Sequence, residues 1–209
     1  MSPPSPNSAR WNWRRLNVFT NVGVGRVRNN TEGAFATPAT GSIADDWAPS
    51  NQDVRGRFNV GMNSSQLRNF NASINFNAST ASPYTLRTGT DDNGDLVFND
   101  RPLAVGRNTL RASPFWNLSG FFTYGWTFGK PVERTGGISI RSEGGGLAVS
   151  QAAAQRDGRF RLSLNVQIQN ITNHGNLIGY SGVITSDSFM RPTSVAGTRK
   201  VDIGIGLSF

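Results

Sequence analysis

The chain has 209 residues, no cysteine and a formal net charge of +8. Apolar residues make up 36% of it, below the ~45–50% of an ordinary globular domain. No run approaches the ~20 apolar residues that a membrane helix requires. Composition therefore excludes membrane helices and argues against a sheet buried on both faces.

The positive charge does not predict a nucleic-acid partner. The arginines are scattered, with Arg55 and Arg57 on one predicted strand face and Arg159 and Arg161 on another. Nucleic-acid-binding domains instead cluster basic residues in a patch or interleave them with aromatic rings. We expect these arginines to line an aqueous interior.

Alternation of apolar and polar residues predicts six strands of about ten residues, the length that crosses a bilayer at a tilt. The clearest runs from Phe70, where apolar residues alternate with asparagine and serine. Successive strand side chains point to opposite faces, so each strand presents one apolar and one polar face. The predicted strands lie near 12–28, 53–64, 69–80, 114–129, 159–171 and 199–209.

The connections differ in length according to the end of the sheet that they join. Segments 29–51, 80–113 and 172–199 are predicted to be long loops at one end, whereas 64–68 is a short turn at the other. This asymmetry is typical of outer-membrane barrels. Lys130–Gly158 is Gly-rich and is expected to be a long irregular connection at the short-turn end.

The last strand carries its apolar residues on one face and ends on Phe209. A terminal aromatic residue is unusual in a soluble domain but fits a transmembrane barrel, where aromatic rings sit at the membrane interface. The predicted topology brings eight large residues to the short-turn end as one girdle: Trp11, Trp13, Met62, Phe70, Trp126, Phe128, Phe160 and Phe209.

Six strands cannot close a membrane barrel alone, because the smallest known have ~8 and an open edge in lipid leaves backbone groups unsatisfied. Residues 1–9 are a Pro/Ser-rich lead-in without the apolar centre of a secretory signal. We therefore expect residues 10–209 to be the C-terminal segment of a larger antiparallel transmembrane β-barrel.

Several motifs resemble the C-terminal end of TonB-dependent receptors of the Oar-like, carboxypeptidase-regulatory-domain class. They are WAPSNQDVRGRF at 47–58, DDNGDLVFNDRP at 91–102, VGRNTLR at 105–111, FWNL at 115–118, NITNH at 170–174 and SFMRPT at 188–193. The resemblance implies a barrel of the 22-strand type with a plug, located in the outer membrane of a Gram-negative bacterium. It also implies four partners: outer-membrane lipid, the upstream strands and plug, the barrel-assembly machinery through the last strand, and the inner-membrane TonB complex through an N-terminal part.

Candidate chemical sites are few. Asp91, Asn93 and Asp95 have the spacing of a calcium loop, but Leu96 stands at the glycine position and Pro102 at the glutamate position. We weigh calcium there against a turn capped by its own side chains, and an Asp100–Arg101 pair is a second way to tie this loop.

His174 is the only histidine, which excludes catalytic triads and histidine metal clusters. Gly23-x-Gly25 and Gly144–Gly146 lack the other residues of nucleotide-binding loops. We therefore predict no catalytic, cofactor-binding or metal site, no cofactor and no enzyme activity.

The sequence thus predicts part of an outer-membrane receptor that takes up an unidentified nutrient. One alternative is a self-assembling structural or adhesive barrel module without transport. The other is a secreted, soluble β-sandwich that binds carbohydrate.

Overall fold

The structure is a computed structural model that describes residues 8–33, 35–39, 41–134, 138–143, 146–151 and 155–209. These residues form an all-β fold around one large antiparallel sheet. The helical structure among them is limited to a 3-10 turn at Ala44–Asp46. Within this part of the chain, no helix has the length and hydrophobicity needed to span a membrane.

The described residues contain fifteen strands. In chain order they are β1 (Ser8–Trp13), β2 (Leu16–Val24), β3 (Arg28–Asn29), β4 (Ala48–Pro49), β5 (Gly56–Ser64), β6 (Phe70–Ser79), β7 (Pro83–Tyr84), β8 (Leu110–Arg111), β9 (Phe115–Arg134), β10 (Ile138–Glu143), β11 (Gly146–Gln151), β12 (Gln155–Gln169), β13 (Asn176–Ile178), β14 (Ser194–Ala196) and β15 (Lys200–Ser208).

The long strands make one meandering sheet in the order β1–β2–β5–β6–β9–β12–β15. Each neighbouring pair is antiparallel. The short strands form four separate two-stranded pairs: β3–β4, β7–β8, β10–β11 and β13–β14. In the described residues β1 and β15 each pair on one side only, so the sheet is open and forms no closed barrel.

The pairing register keeps apolar residues on one face across the whole sheet. One row begins at Trp11 and ends at Val201, passing through Val18, Met62, Ile74, Gly120 and Ile168. We call this the apolar face. Its side chains are largely uncovered; on β15 the exposed fractions are 51% for Val201, 68% for Ile203, 76% for Ile205 and 61% for Leu207.

The opposite, polar face consists mainly of amide and hydroxyl side chains. One row joins Asn21, Asn59, Asn77 and Asn117, and another joins Asn71, Thr123 and Asn165. Thr123 donates a hydrogen bond to Asn165 at 3.0 Å, and Ser73 donates one to Asn63 at 2.6 Å. Arg57 and Arg161 lie on this face, as the alternation predicts, and both are exposed.

The sheet has one strand more than the six predicted. The region predicted as a single strand near 12–28 is a hairpin, in which β1 pairs with β2 and Trp13 lies opposite Leu16. Arg14 and Arg15 make the two-residue turn, and Arg14 has a left-handed φ of 52°. Strand β1 also begins at Ser8, within the predicted lead-in.

The prediction of an irregular connection over Lys130–Gly158 is wrong. Strand β9 continues to Arg134 and β12 starts at Gln155, and the two pair with each other beyond a register shift near Gly158. Between them β10 and β11 form a hairpin. Gly129 and Gly158 lie at this register shift, where they interrupt side-chain alternation without ending the backbone ladder, which is why the pattern looked irregular.

The predicted difference between the two ends of the sheet is confirmed. The turns between β1 and β2 and between β5 and β6 lie at one end. The three long loops lie at the other, after β2, β6 and β12: residues 25–55, 80–114 and 170–199. We call these three segments together the loop cluster, because they hydrogen-bond to one another.

Candidate functional site

The loop cluster holds most of the buried side chains in the described residues, and they are almost all polar. Within the described residues the buried apolar side chains are Ala48 and Pro83. The buried polar set is Asp46, Ser50, Asp53, Asp100, Arg107, Asn108, Asn170 and Asn176. Buried polar groups persist when they are hydrogen-bonded, so these contacts hold the cluster in one conformation.

Asp53 ties the first loop to the second. It is 2% exposed, accepts a hydrogen bond from the Val27 amide at 2.8 Å and pairs with the Arg111 guanidinium. The Arg111 guanidinium also donates to the Asp53 carbonyl at 2.6 Å. The hydrogen bond from Arg111, followed by that from Val27, holds the pKa of the Asp53 carboxyl below its usual value.

Asp46 is a second link between the same two loops. Its carboxylate accepts a hydrogen bond from Arg101 and forms an ion pair with Arg107, whose Nε lies 3.2 Å away. Arg107 also donates through Nη2 to the Asn29 carbonyl at 2.8 Å and the Asp46 carbonyl at 2.9 Å. One carboxylate and two guanidiniums are therefore buried together, with side-chain exposures of 4%, 7% and 5%.

The third loop joins the second through backbone contacts. The Arg87 amide donates to the Gly182 carbonyl, and the Ile184 amide donates to the Arg87 carbonyl, both at 2.9 Å. A Cβ atom on Gly182 would lie 1.8 Å from the carbonyl oxygen of Thr85. A larger residue at Gly182 would therefore force the two loops apart.

The side chain of Asn176 pairs with the backbone of β9 at Trp116, beyond the last residue pair of the β9–β12 ladder, Gly120 and Ile168. Its side-chain amide accepts from the Trp116 amide and donates to the Trp116 carbonyl, both at 2.9 Å. Nearby, buried Asn170 accepts from the His174 amide at 3.0 Å and donates to the His174 carbonyl at 2.8 Å. These two hydrogen bonds of Asn170 therefore stabilise the turn at 170–174.

His174 lies at the end of this turn and stacks on Trp116, with ring centroids 4.2 Å apart. The described residues contain no group of three or more His, Cys, Asp or Glu side chains placed to hold a metal ion. His174 therefore has a packing role in the structure.

The acidic loop at 91–100 uses its carboxylates to cap its own backbone. Asp91 accepts from the amides of Gly94 (2.9 Å), Asp95 (3.1 Å) and Leu96 (3.0 Å). Leu96 has a left-handed φ of 65° at the position where calcium loops carry glycine. The acidic loop therefore forms a turn capped by its own side chains, which was the alternative to a calcium site.

The prediction that Asp100 pairs with Arg101 is wrong. Asp100 instead accepts from the backbone amides of Asp92 at 2.6 Å and Asn93 at 3.3 Å. Arg101 crosses to Asp46 in the first loop. No local sequence pattern indicates this pairing, because the two residues are 55 positions apart.

Of the two glycine motifs considered in the sequence, the one at Gly23 and Gly25 lies in the described part of the chain. Gly23 lies inside β2, opposite Arg57, and Gly25 follows the strand. Gly144 and Gly145 lie outside the described residues.

The predicted aromatic girdle does not follow a single row of paired residues. Trp13 lies on the row that ends at Ile203 of β15. Toward the short-turn end from that row, Phe70 is displaced by two residues (72 − 70), Trp126 by four (126 − 122), Phe160 by six (166 − 160) and Phe209 by six (209 − 203).

These displacements define an oblique line across the sheet. Six residues along a strand cover about 20 Å and six strand spacings about 29 Å, so the line crosses the rows at about 35°. Strands in membrane barrels tilt by about 35–45°, so such a tilt would bring these aromatic rings to one level. Met62 departs from this line. It lies on the row of Trp11, which is on the long-loop side of the Trp13 row.

Comparison with known proteins finds no match: no protein-family model, no curated protein and no solved structure is significantly similar to this chain.

Proposed function

We propose that the chain is barrel wall of a TonB-dependent outer-membrane receptor, with the loop cluster on the outer surface of the cell. The observation that carries this proposal is the distribution of polarity. The apolar face is exposed on β15 and only half-buried on the central strands of the main sheet, while the buried side chains of the described residues are almost all polar. A soluble domain has the reverse arrangement, whereas a barrel in lipid needs an apolar exterior.

The open edges support the same proposal. Both β1 and β15 present unpaired backbone groups in the described sheet, and such groups cost several kcal/mol each in lipid. Further strands would satisfy them and close the barrel. The chain would then supply wall, a polar interior surface and outer loops, while the plug and the TonB-contacting segment of the family supply the gating.

The test is the location of the chain in the cell envelope. We expect it in the outer-membrane fraction, resistant to extraction by urea or carbonate, with the loop cluster accessible to antibody or protease added outside intact cells. Recovery in the soluble periplasm or cytoplasm would contradict the proposal.

The open edges also favour a second function, a barrel assembled from several copies that serves as a surface anchor or adhesin. This arrangement pairs β15 of one copy with β1 of the next, whereas the receptor pairs both edges with other strands. Cysteines placed on β1 and β15 distinguish the two, because a disulfide ladder of identical chains forms only in the self-assembled barrel.

The soluble sandwich remains the third proposal, and the apolar face argues against it. A sandwich buries this face under a second sheet, yet in the described residues the face lies uncovered.

A further inference from the structure

A small cavity lies between the first and second loops of the loop cluster. Its charged lining residues are Glu32, Asp46, Arg87, Arg101 and Arg107, and its amide side chains are Asn30 and Asn99. The space in it that is open to the centre of a water-sized sphere is about 30 Å³. The cavity therefore has room for a small anion and excludes a large organic ligand.

The charges around this cavity do not balance. Glu32 and Arg87 pair at 3.4 Å in partly exposed positions and offset each other. The deeper group contains Arg101 and Arg107, and within the described side chains Asp46 is the one carboxylate that pairs with them. One positive charge is left over among side chains that are at most 7% exposed, and an unpaired buried charge is unfavourable.

Arg107 also has an unused donor. Its Nε and Nη2 atoms donate to Asp46 and Asn29, whereas Nη1 is buried with no hydrogen-bond partner in the described residues. A guanidinium carries five N–H donors in a fixed plane, which suits oxygen atoms of carboxylates and phosphates. The excess charge and the free donor thus belong to the same side chain.

Asn99 supplies a free acceptor on the same cavity. Its Nδ2 atom donates to the Thr37 carbonyl at 2.7 Å, which fixes the orientation of the amide. Its Oδ1 atom is buried and has no hydrogen-bond partner in the described residues. A ligand that satisfies both residues must accept from Arg107 and donate to Asn99.

We propose that this cavity binds a small oxyanion that carries a hydroxyl group, with hydrogenphosphate as the model ligand. Its charged oxygens accept from Arg107 and offset the excess positive charge, and its hydroxyl donates to Asn99. Arg107 and Asn99 both belong to the second loop and donate to Asn29 and Thr37 of the first, so an anion that holds these two side chains orders the contacts between the two loops. The site is independent of the proposed membrane location.

Sulfate provides the discriminating comparison, because it has the shape of phosphate but no hydroxyl near neutral pH. It satisfies Arg107 but leaves Asn99 without a donor. We expect phosphate to bind about tenfold more tightly than sulfate, the effect of one hydrogen bond to a buried acceptor.

The experiment is calorimetric titration of the folded full chain in detergent with inorganic phosphate and with sulfate at constant ionic strength. Asn99→Leu removes the acceptor and should lower phosphate affinity to that of sulfate while sulfate affinity stays the same. Arg107→Gln should weaken both anions by about tenfold to a hundredfold. Arg191→Gln, an exposed substitution in the third loop, is the matched control and should change neither.

Three results would overturn the proposal. The first is the absence of a saturable signal with phosphate, which means that the cavity holds only water. The second is equal affinity for phosphate and sulfate in the unsubstituted chain. The third is an Asn99→Leu variant that keeps the preference for phosphate. Asn99→Leu decides the matter if Arg107→Gln does not fold.

Discussion

The sheet and the loop cluster are built on opposite principles. The sheet leaves its apolar side chains uncovered, and its backbone ladder holds neighbouring strands together. The loop cluster buries carboxylates, guanidiniums and amides and uses them to join three distant segments. Under the proposed function the apolar face of the sheet meets lipid, whereas the loop cluster lies in water.

The sharpest way to break the loop cluster is to remove Asp46. Asp46→Asn leaves the buried guanidiniums of Arg101 and Arg107 without their carboxylate. We expect a loss of about 3–5 kcal/mol, as for other buried ion pairs that lose one partner. Hydrogen exchange of the loop amides measures it, and the exposed substitution Asp187→Asn is the control. An effect equal to that of the control would show that the buried pairs do not hold the loops.

Charged substitutions on the two faces of β15 test whether the apolar face meets lipid. Ile203→Arg places a guanidinium on that face, and we expect it to cost about 2–4 kcal/mol near the centre of a bilayer. Asp202→Arg, the adjacent residue on the polar face, should cost far less. Unfolding free energies in lipid vesicles give both values, and equal costs for the two substitutions would refute the assignment of the faces.

Within the sheet, Phe19 and Gly61 form a specific pair on the polar face. The two residues lie opposite each other, and a Cβ on Gly61 would fall 2.0 Å from the Phe19 ring. Gly61→Val should cost about 1–3 kcal/mol through overpacking, and adding Phe19→Ala should recover much of it. Gly204→Val has open space around its Cβ and is the control in the same unfolding measurement; no recovery in the double variant would count against the pair.

The smallest expected effect is a pH dependence of the loop cluster. Hydrogen bonds from Arg111 and Val27 lower the pKa of Asp53 in the folded state, so its stabilising contribution is complete above the unfolded pKa of about 3.9. The contribution is lost as the pH falls through the lower folded pKa. Hydrogen exchange of the Val27 amide should show the unsubstituted chain and Asp53→Asn converging below about pH 4; a constant difference down to the acid limit would exclude Asp53 as the titrating group.

The long strands could be predicted from the sequence because side-chain alternation reports directly on which face is apolar. Strands β5, β6 and β15 lie within a few residues of their predicted bounds. The β1–β2 turn was not predicted, because Arg14-Arg15 contains neither the glycine nor the asparagine that is typical of a two-residue hairpin turn. The β10–β11 hairpin escaped because glycine-rich sequence hides the alternation.

The loop cluster could not be predicted in the same way. Asp46 and Arg101, or Asp53 and Arg111, are more than 50 residues apart and follow no periodic pattern. Local reasoning paired Arg101 with its neighbour Asp100, whereas the backbone turns of the acidic loop use that carboxylate. Long-range pairing of buried charges depends on which loops meet. Which loops meet is determined by the order of the strands in the folded sheet.

The most direct test of the central claim uses the absence of cysteine from the chain. Spin labels attached to single cysteines at each position of β12 from Leu162 to Ile168 report access to oxygen from lipid and to a polar nickel reagent from water. In lipid vesicles, oxygen access should peak at Leu162, Leu164, Val166 and Ile168, and nickel access at Ser163, Asn165 and Gln167. Loss of this two-residue alternation, or nickel access at the apolar positions, would contradict the proposal that the apolar face meets lipid.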